Sequence, residues 1–227
     1  MKEPMNANTP APAAASPAAP RGLADRLMNT ADQCLLAPYA LDSGVLGKVF
    51  GSILSHQVDY ADLYFQYTRS EGWSLEEGMV KSGSFSIEQG VGVRAVSGEK
   101  TAFAYSDDIS LPALEAAASA TRAIARAGRQ CAVPLVRTGA ARELYAPKDP
   151  LLSLDEVRKV ELLERIERAA RACDPRVIQV MASLAGQYEV VMIARHDGLQ
   201  SADVRPLVRM SVQVIVEQDG RREQGSA

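Results

Sequence analysis

A chain of 227 residues that is 47% hydrophobic can bury a sizeable core, in one large domain or two small ones. Its formal charge of −3 and pI near 5.5 supply no strong field toward nucleic acid or an anionic membrane. Three scattered cysteines (Cys34, Cys131, Cys173) without a CxxC argue against a disulfide framework or an all-cysteine zinc knot and fit a reducing, cytoplasmic compartment, while two histidines (His56, His196) exclude HExxH.

Residues 1–22 read as a disordered Ala/Pro-rich extension, with prolines at 4, 10, 12, 17 and 20 that forbid a regular helix. The segment has no continuous apolar centre of the kind a secretory signal needs. Nowhere does an apolar run approach the length of a membrane span. Leu23 to Leu36 has a weak helical pattern through Leu23, Leu27 and Ala31, interrupted by Pro38. Tyr39 to His56 resumes it with Leu41, Val45, Val49 and Ile53, and Gly44, Gly47 and Gly51 point to close packing. His56 reads as a helix-end or surface histidine.

A succession of β-compatible runs follows. Ala61–Tyr67 places Leu63, Phe65 and Tyr67 on one face and Asp62, Tyr64 and Gln66 on the other. Trp73 and Leu75 open a second strand, Val80–Glu88 a third, Val91–Val96 a fourth and Thr101–Tyr105 a fifth. Glu-Gly, Gln89-Gly90 and Ser97-Gly98-Glu99-Lys100 supply the turns, and such short connections predict an antiparallel meander. Gly90-Val91-Gly92 runs on into more β sequence instead of a helix, so it reads as hairpin glycine and not as a phosphate cradle.

Ser110 is placed to cap a helix with Pro112 in its first turn, and Leu114, Ala117, Ala118, Thr121, Ile124 and Ala125 form a small-residue face suited to lying across a sheet. Arg122, Arg126 and Arg129 read as solvated helix-end charge. Residues 130–152 make a proline-bounded connector. The next helix opens on a Ser153/Glu156 capping box, with an apolar stripe of Leu154, Val157, Val160, Leu163, Ile166 and Ala170. Its solvent side carries the pairs Asp155–Lys159, Glu161–Arg165, Glu164–Arg168 and Glu167–Arg171. Cys173 at its end reads as buried packing. Strands return at 177–184 and 188–194, with a turn at Ala185-Gly186-Gln187. A turn at His196-Asp197-Gly198 precedes a last strand over 207–217. His196 beside Asp197 suggests an oriented base only weakly, since sequence neighbours need not form a dyad. The order predicts an α+β fold: a mainly antiparallel sheet with packed helices around one layered core.

Several blocks carry a wider resemblance: DYADLYFQ (59–66), WSLE (73–76), SIEQGVGVRAVSGEKTAFAYSDDIS (86–110) and DGLQSADVRPLVRMSVQVIVEQDGRREQGSA (197–227). Together they closely resemble the amino-terminal half of the TldD/PmbA (TldD/TldE) family of bacterial metalloproteases, over roughly residues 30–227. The resemblance implies an amino-terminal α+β domain over 23–220, and makes 221–227 a truncated linker toward an absent catalytic domain. It implies zinc in the full-length protein, bound in the second domain by two histidines of an HExxxH helix and a downstream cysteine, with that motif's glutamate as base. It further implies a PmbA/TldE-like partner subunit and unstructured peptide substrates, and gives no role to nucleic acid or membrane. His56, His196 and Cys173 match none of the ligand positions, so no catalytic, cofactor-binding or metal-binding residue is assigned in this chain. The expectation is a scaffold and assembly part, inactive alone, from a truncation or broken gene product. A non-enzymatic binding or regulatory domain that pairs with a PmbA/TldE-like partner is the alternative.

Overall fold

A short amphipathic helix, α1 (Leu23–Ala31), is the first described element and buries Leu27, Met28 and Ala31. The computed structural model describes residues 22–55, 57–121, 134–137 and 144–227. His56, Cys131, Arg122, Arg126, Arg129 and the expected extension before Gly22 lie outside the described residues. After α1 the helix widens into a π turn over Asp32–Leu36 and tightens into a 3₁₀ turn at Ala37–Tyr39, where Pro38 denies the backbone a donor. Helix α2 (Ser43–Ile53) restarts on Asp42, whose carboxylate accepts from Val45 N at 2.7 Å. Gly47 and Gly51 are buried within it, as their spacing among larger apolar residues suggests, whereas Gly44 in the first turn is exposed, against expectation.

Three long strands follow: β1 (Tyr60–Glu76), β2 (Met79–Ser97) and the shorter β3 (Lys100–Ser106). Helix α3 (Leu111–Thr121) starts at Ser110, whose Oγ accepts from Ala113 N at 3.3 Å, with Pro112 in the first turn as expected. A two-residue strand β4 (Val136–Arg137) and helix α4 (Glu156–Cys173) lead to β5 (Val177–Arg195), β6 (Leu199–Gln218) and β7 (Arg221–Ser226). The strands form one sheet in the order β3-β2-β1-β5-β6-β4, with β7 also on β6. Every pairing is antiparallel except the short β4–β6 contact, which bears out the α+β expectation.

The strands are longer and fewer than the sequence suggested. Residues 61–67 and 73–75 belong to one strand, 80–88 and 91–96 to another, and 177–184 and 188–194 to a third. The misread glycines at 72, 90 and 186 are not turns. A Cβ on Gly90 would lie 2.8 Å from Ser106 O, and one on Gly186 would lie 2.7 Å from Leu151 Cδ2. Those positions are glycine because another group passes close by, which is the other reason for glycine in a strand. The real reversals are marked by left-handed backbone, at Glu77-Gly78 (φ 52° and 72°) and Asp219-Gly220 (φ 52° and 78°). The second of these turns residues 221–226 back onto β6 as β7, and Val212 and Ala227 exchange two backbone hydrogen bonds of 2.9 Å.

The four α-helices among the described residues pack on one face of this sheet. At one end α1, α2 and α3 close over Leu63, Phe65, Val91, Val93, Val190 and Met192 to form the main core. At the other end α4 covers a smaller cluster of Leu75, Leu163, Ala182 and Leu184. The start of α4 differs from expectation: Asp155 caps the helix, accepting from Arg158 N at 2.8 Å, and Ser153 Oγ donates to Pro150 O instead. The buried stripe is also rotated. It runs Lys159, Leu163, Glu167, leaving Val157 exposed. Lys159 does not pair with Asp155 but turns inward, where its Nζ reaches Glu71 at 2.7 Å and Leu151 O at 2.9 Å. Glu164–Arg168 (3.4 Å) and Glu167–Arg171 (3.1 Å) do form as read. Cys173 is exposed, its Sγ donating to Ala169 O at 3.3 Å, because the helix ends there beyond the edge of its packing surface.

Candidate functional site

Strand alternation sends every second side chain to the face without helices. The register sets Tyr60, Asp62, Tyr64, Gln66 and Thr68 of β1 there, beside Glu88, Gly90, Gly92 and Arg94 of β2. Phe103 and Tyr105 of β3, Glu189, Ile193 and Arg195 of β5, and Ser201, Asp203 and Arg205 of β6 complete it. The sequence pattern had already put Asp62, Tyr64 and Gln66 opposite the core residues of β1. It had not shown that this face stays open, which depends on where the helices dock.

Two hollows adjoin on this surface. One, of about 410 Å³, is lined by Gln66, Thr68, Gly90, Gly92 and Tyr105 together with Tyr64 and Phe103. The second, of about 600 Å³, shares Tyr64 and Phe103 and adds Tyr60, Asp62, Arg94 and Arg195. Phe103 and Tyr105 stack with centroids 6.3 Å apart and remain 62% and 80% exposed, so their rings form a wall and not a core. Gly92 permits this: a Cβ there would lie 2.9 Å from Phe103 Cε2. The glycines at 90 and 92 therefore deepen the hollow, and serve neither as a hairpin nor as a phosphate loop.

Charges on the face are paired internally. Arg94 forks onto Asp62 and stands over the Tyr60 ring at 5.4 Å, with Arg195 on the same ring at 5.7 Å. Arg205 bridges Asp203 at 3.1 Å and Glu189 at 3.3 Å, and Gln66 Nε2 donates to Glu189. Tyr145 from the connector donates to Asp203 at 2.8 Å. Burial, reinforced by the Asp62 carboxylate, pushes the Tyr60 phenol up, and burial with Glu189 does the same for Tyr64. Both phenols stay protonated through neutral pH. The face thus offers aromatic surface, hydroxyl and amide groups, and guanidinium groups whose charge is already balanced. It suits an extended, largely neutral chain better than a polyanion.

His196 does not act with Asp197. Its Nδ1 accepts from Ala61 N at 3.2 Å and its ring meets Tyr60 edge-on, with centroids 5.3 Å apart. Asp197 binds Arg195 at 2.5 Å and accepts from Leu199 N at 3.3 Å. The two are turn and strand-end residues, and no oriented base results. Cys34 is partly buried, and burial pushes its thiol up, away from the reactive thiolate. Among the described residues no three His, Cys, Asp or Glu side chains converge to hold a metal ion. No helix among them is long and apolar enough to cross a membrane.

Comparison with known proteins gives two family-model matches in order along the chain. Residues 61–125 match the PmbA/TldA metallopeptidase domain 1, and residues 149–227 match the PmbA/TldA metallopeptidase central domain. The chain is 46% identical over 203 residues to a metalloprotease TldD homolog from Haemophilus influenzae, covering 88% of this chain and 42% of that protein. It is 41% identical over 171 residues to a metalloprotease TldD homolog from Buchnera aphidicola, covering 75% of this chain and 35% of that one. The chain thus spans less than half the length of either relative. Among solved structures, TldE from Thermococcus kodakarensis superposes with a TM-score of 0.58 at 16% identity, covering 80% of this chain and 40% of that one. A Bacteroides thetaiotaomicron structure gives a TM-score of 0.61 at 14% identity, covering 80% and 43%. At such identities the likeness is one of fold.

Proposed function

Because the chain belongs to the PmbA/TldD metallopeptidase family, we propose that it is the amino-terminal scaffold and assembly part of a TldD-like zinc metallopeptidase that cleaves flexible peptides. The observation that carries this reading is the pair of family-model matches in sequence order, joined to 46% identity with a metalloprotease TldD homolog. The open face supports it, since two aromatic-walled hollows on charge-balanced strands suit an unfolded peptide laid across the sheet. Strand edges that are unpaired among the described residues add a way to hold an extended backbone with little demand on its side chains.

The described residues do not fit a zinc site, so no catalytic step is assigned to them. His196 has its Nδ1 engaged by Ala61 N, Cys173 lies at the exposed end of α4, and no carboxylate converges with either. When bound, zinc supplies a water of lowered pKa and a polarised carbonyl. In this proposal its ligands belong to sequence outside these 227 residues, and the chain contributes binding surface and contact with a PmbA/TldE-like subunit in the cytoplasm.

The test is to express the whole encoded polypeptide with a PmbA/TldE-like subunit and assay an unstructured peptide. Cleavage is expected to disappear on chelation and return with zinc, while residues 1–227 alone should cut nothing. A correctly assembled pair that binds no zinc would remove the basis for the protease reading. Chelator-resistant cleavage by residues 1–227 alone would overturn the scaffold role.

A further inference from the structure

The strand registers shape the smaller hollow into a slot. Gly92 of β2 lies between Tyr64 of β1 and Tyr105 of β3, whose strands are two spacings, about 10 Å, apart. Two residues along, Gly90 lies beside Gln66, and a Cβ on it would stand 3.6 Å from the Asp107 Cα on its other side. The two glycines thus floor a trench between these walls. Phe103 leans over Gly92 at one end, and Glu88 stands on the same face at the other. Glu88 and Asp107 are the charged residues lining this hollow. Both are exposed, and neither has a hydrogen bond or an ion pair among the described residues, so they stand outside the pairing that balances the neighbouring charges. The rings are equally uncommitted. Tyr60 carries Arg94 and Arg195 over its face and Tyr188 carries Arg69, whereas no described cation stands over Phe103 or Tyr105.

We propose that this slot takes one basic side chain, Lys or Arg, of a peptide lying across the open face. The assignment deepens the reading of that face as a peptide-holding surface and rests on it. The methylene stem of the side chain lies along the aromatic walls, as long cationic side chains do on apolar surface. Its head reaches the Glu88 and Asp107 carboxylates, and the ring faces add cation–π attraction. Charge complementarity selects this occupant. A neutral side chain makes the same apolar contact but strips water from two carboxylates without replacing it, and an acidic side chain meets like charge. The arginines bordering the slot do not fill the role, since Arg94 is engaged by Asp62, and Arg205 by Asp203 and Glu189.

The test measures binding to the whole encoded polypeptide with its PmbA/TldE-like subunit, under chelation so that no cleavage intervenes. Fluorescent Gly/Ser peptides, acetylated and amidated to remove terminal charge, carry one central Lys, Arg, Gln or Glu and are titrated by anisotropy. The Lys and Arg peptides should bind about tenfold more tightly than the Gln peptide, and the Glu peptide most weakly. The Glu88→Gln/Asp107→Asn variant should bind the Lys and Gln peptides alike, and Glu88→Lys/Asp107→Lys should prefer the Glu peptide. Tyr105→Ala should weaken the Lys peptide about threefold. Circular dichroism checks that each variant keeps its fold. Equal binding of the Lys and Gln peptides by the unsubstituted protein, with both cut once zinc is restored, would overturn the basic-side-chain assignment and leave the peptidase reading standing. A preference for Lys that survives Glu88→Gln/Asp107→Asn would also overturn it. Failure to bind or cut any of the four peptides would remove both readings.

Discussion

The two ends of the sheet are built on different principles although the same strands run through both. Under α1, α2 and α3 the core is mostly apolar and holds no buried ion pair among the described residues, with Phe50, Phe65, Leu63 and Leu46 at 0% exposure and the uncharged Thr121 and Gln200 buried beside them. Under α4 a few apolar side chains share the interface with charge: Lys159 is 5% exposed on Glu71, and Glu167 is 6% exposed, accepting from Gly78 N at 2.7 Å. An apolar core gains from every contact and tolerates small shifts. A buried ion pair first loses its hydration and recovers it only in good geometry. The α1–α3 end is therefore the stability reserve of the fold, and the α4 end is the part whose docking depends on a few polar contacts.

The largest effect that sharpens this contrast is expected at the apolar end. Phe65→Ala should cost about 3–5 kcal/mol of global stability, read as a lowered urea midpoint with unchanged slope. A loss confined to α4, seen by hydrogen exchange, would break the comparison. At the other end Lys159→Ala strands the Glu71 carboxylate and should cost about 3 kcal/mol, with exchange rising first in α4 and β1. The Lys159→Met/Glu71→Leu double variant should recover most of that loss, since removing both charges removes the desolvation cost. If the double variant is worse than the single one, the pair is a net stabiliser and the contrast fails. The smallest effect concerns the solvent side of the same end. Two hydrogen bonds from the Arg176 guanidinium and one from its backbone N–H hold the exposed Asp174 carboxyl down to about 2. A lowered value means that the stabilising contribution is present above the ordinary value of 3.8 and is lost as pH falls through about 2. NMR titration should find that midpoint and see it rise in Arg176→Ala, with little change in unfolding because the pair is solvent-exposed.

How much of this was legible in the sequence depends on whether local or distant contacts set a feature. Helix α3 with its Ser110 cap, the alternation of Leu63, Phe65 and Tyr67 against Asp62, Tyr64 and Gln66, and the antiparallel order all follow from neighbours a few residues apart. Strand lengths did not, because glycine has two meanings. At Gly78, Gly98 and Gly220 it permits positive φ and the chain reverses. At Gly72, Gly90 and Gly186 it makes room for Ser84, Ser106 and Leu151, groups fixed only once the sheet and connector assemble. Lys159 was misread for a similar reason, since spacing pairs it with Asp155 whereas tertiary packing supplies Glu71. The open face was half visible: its polar alternation could be read, but its Tyr60–Arg94–Arg195 cluster joins strands far apart in sequence.

Strand β1 sits at the middle of the sheet with partners of two kinds. Its contact with β2 is a local hairpin, whereas its contact with β5 joins groups 135 residues apart, as at Ala61 and His196. That seam also divides the regions matched by the two family models, so the two are halves of one sheet and not separate bodies. In time, the hairpins can zip early, while the β1–β5 seam must first pay the closure entropy of the long intervening chain. Until it closes, β1 and β5 each expose a bare edge more than fifteen residues long. The central seam is therefore the step at which folding competes with aggregation, and a newly made chain is at its most vulnerable just before its two halves meet.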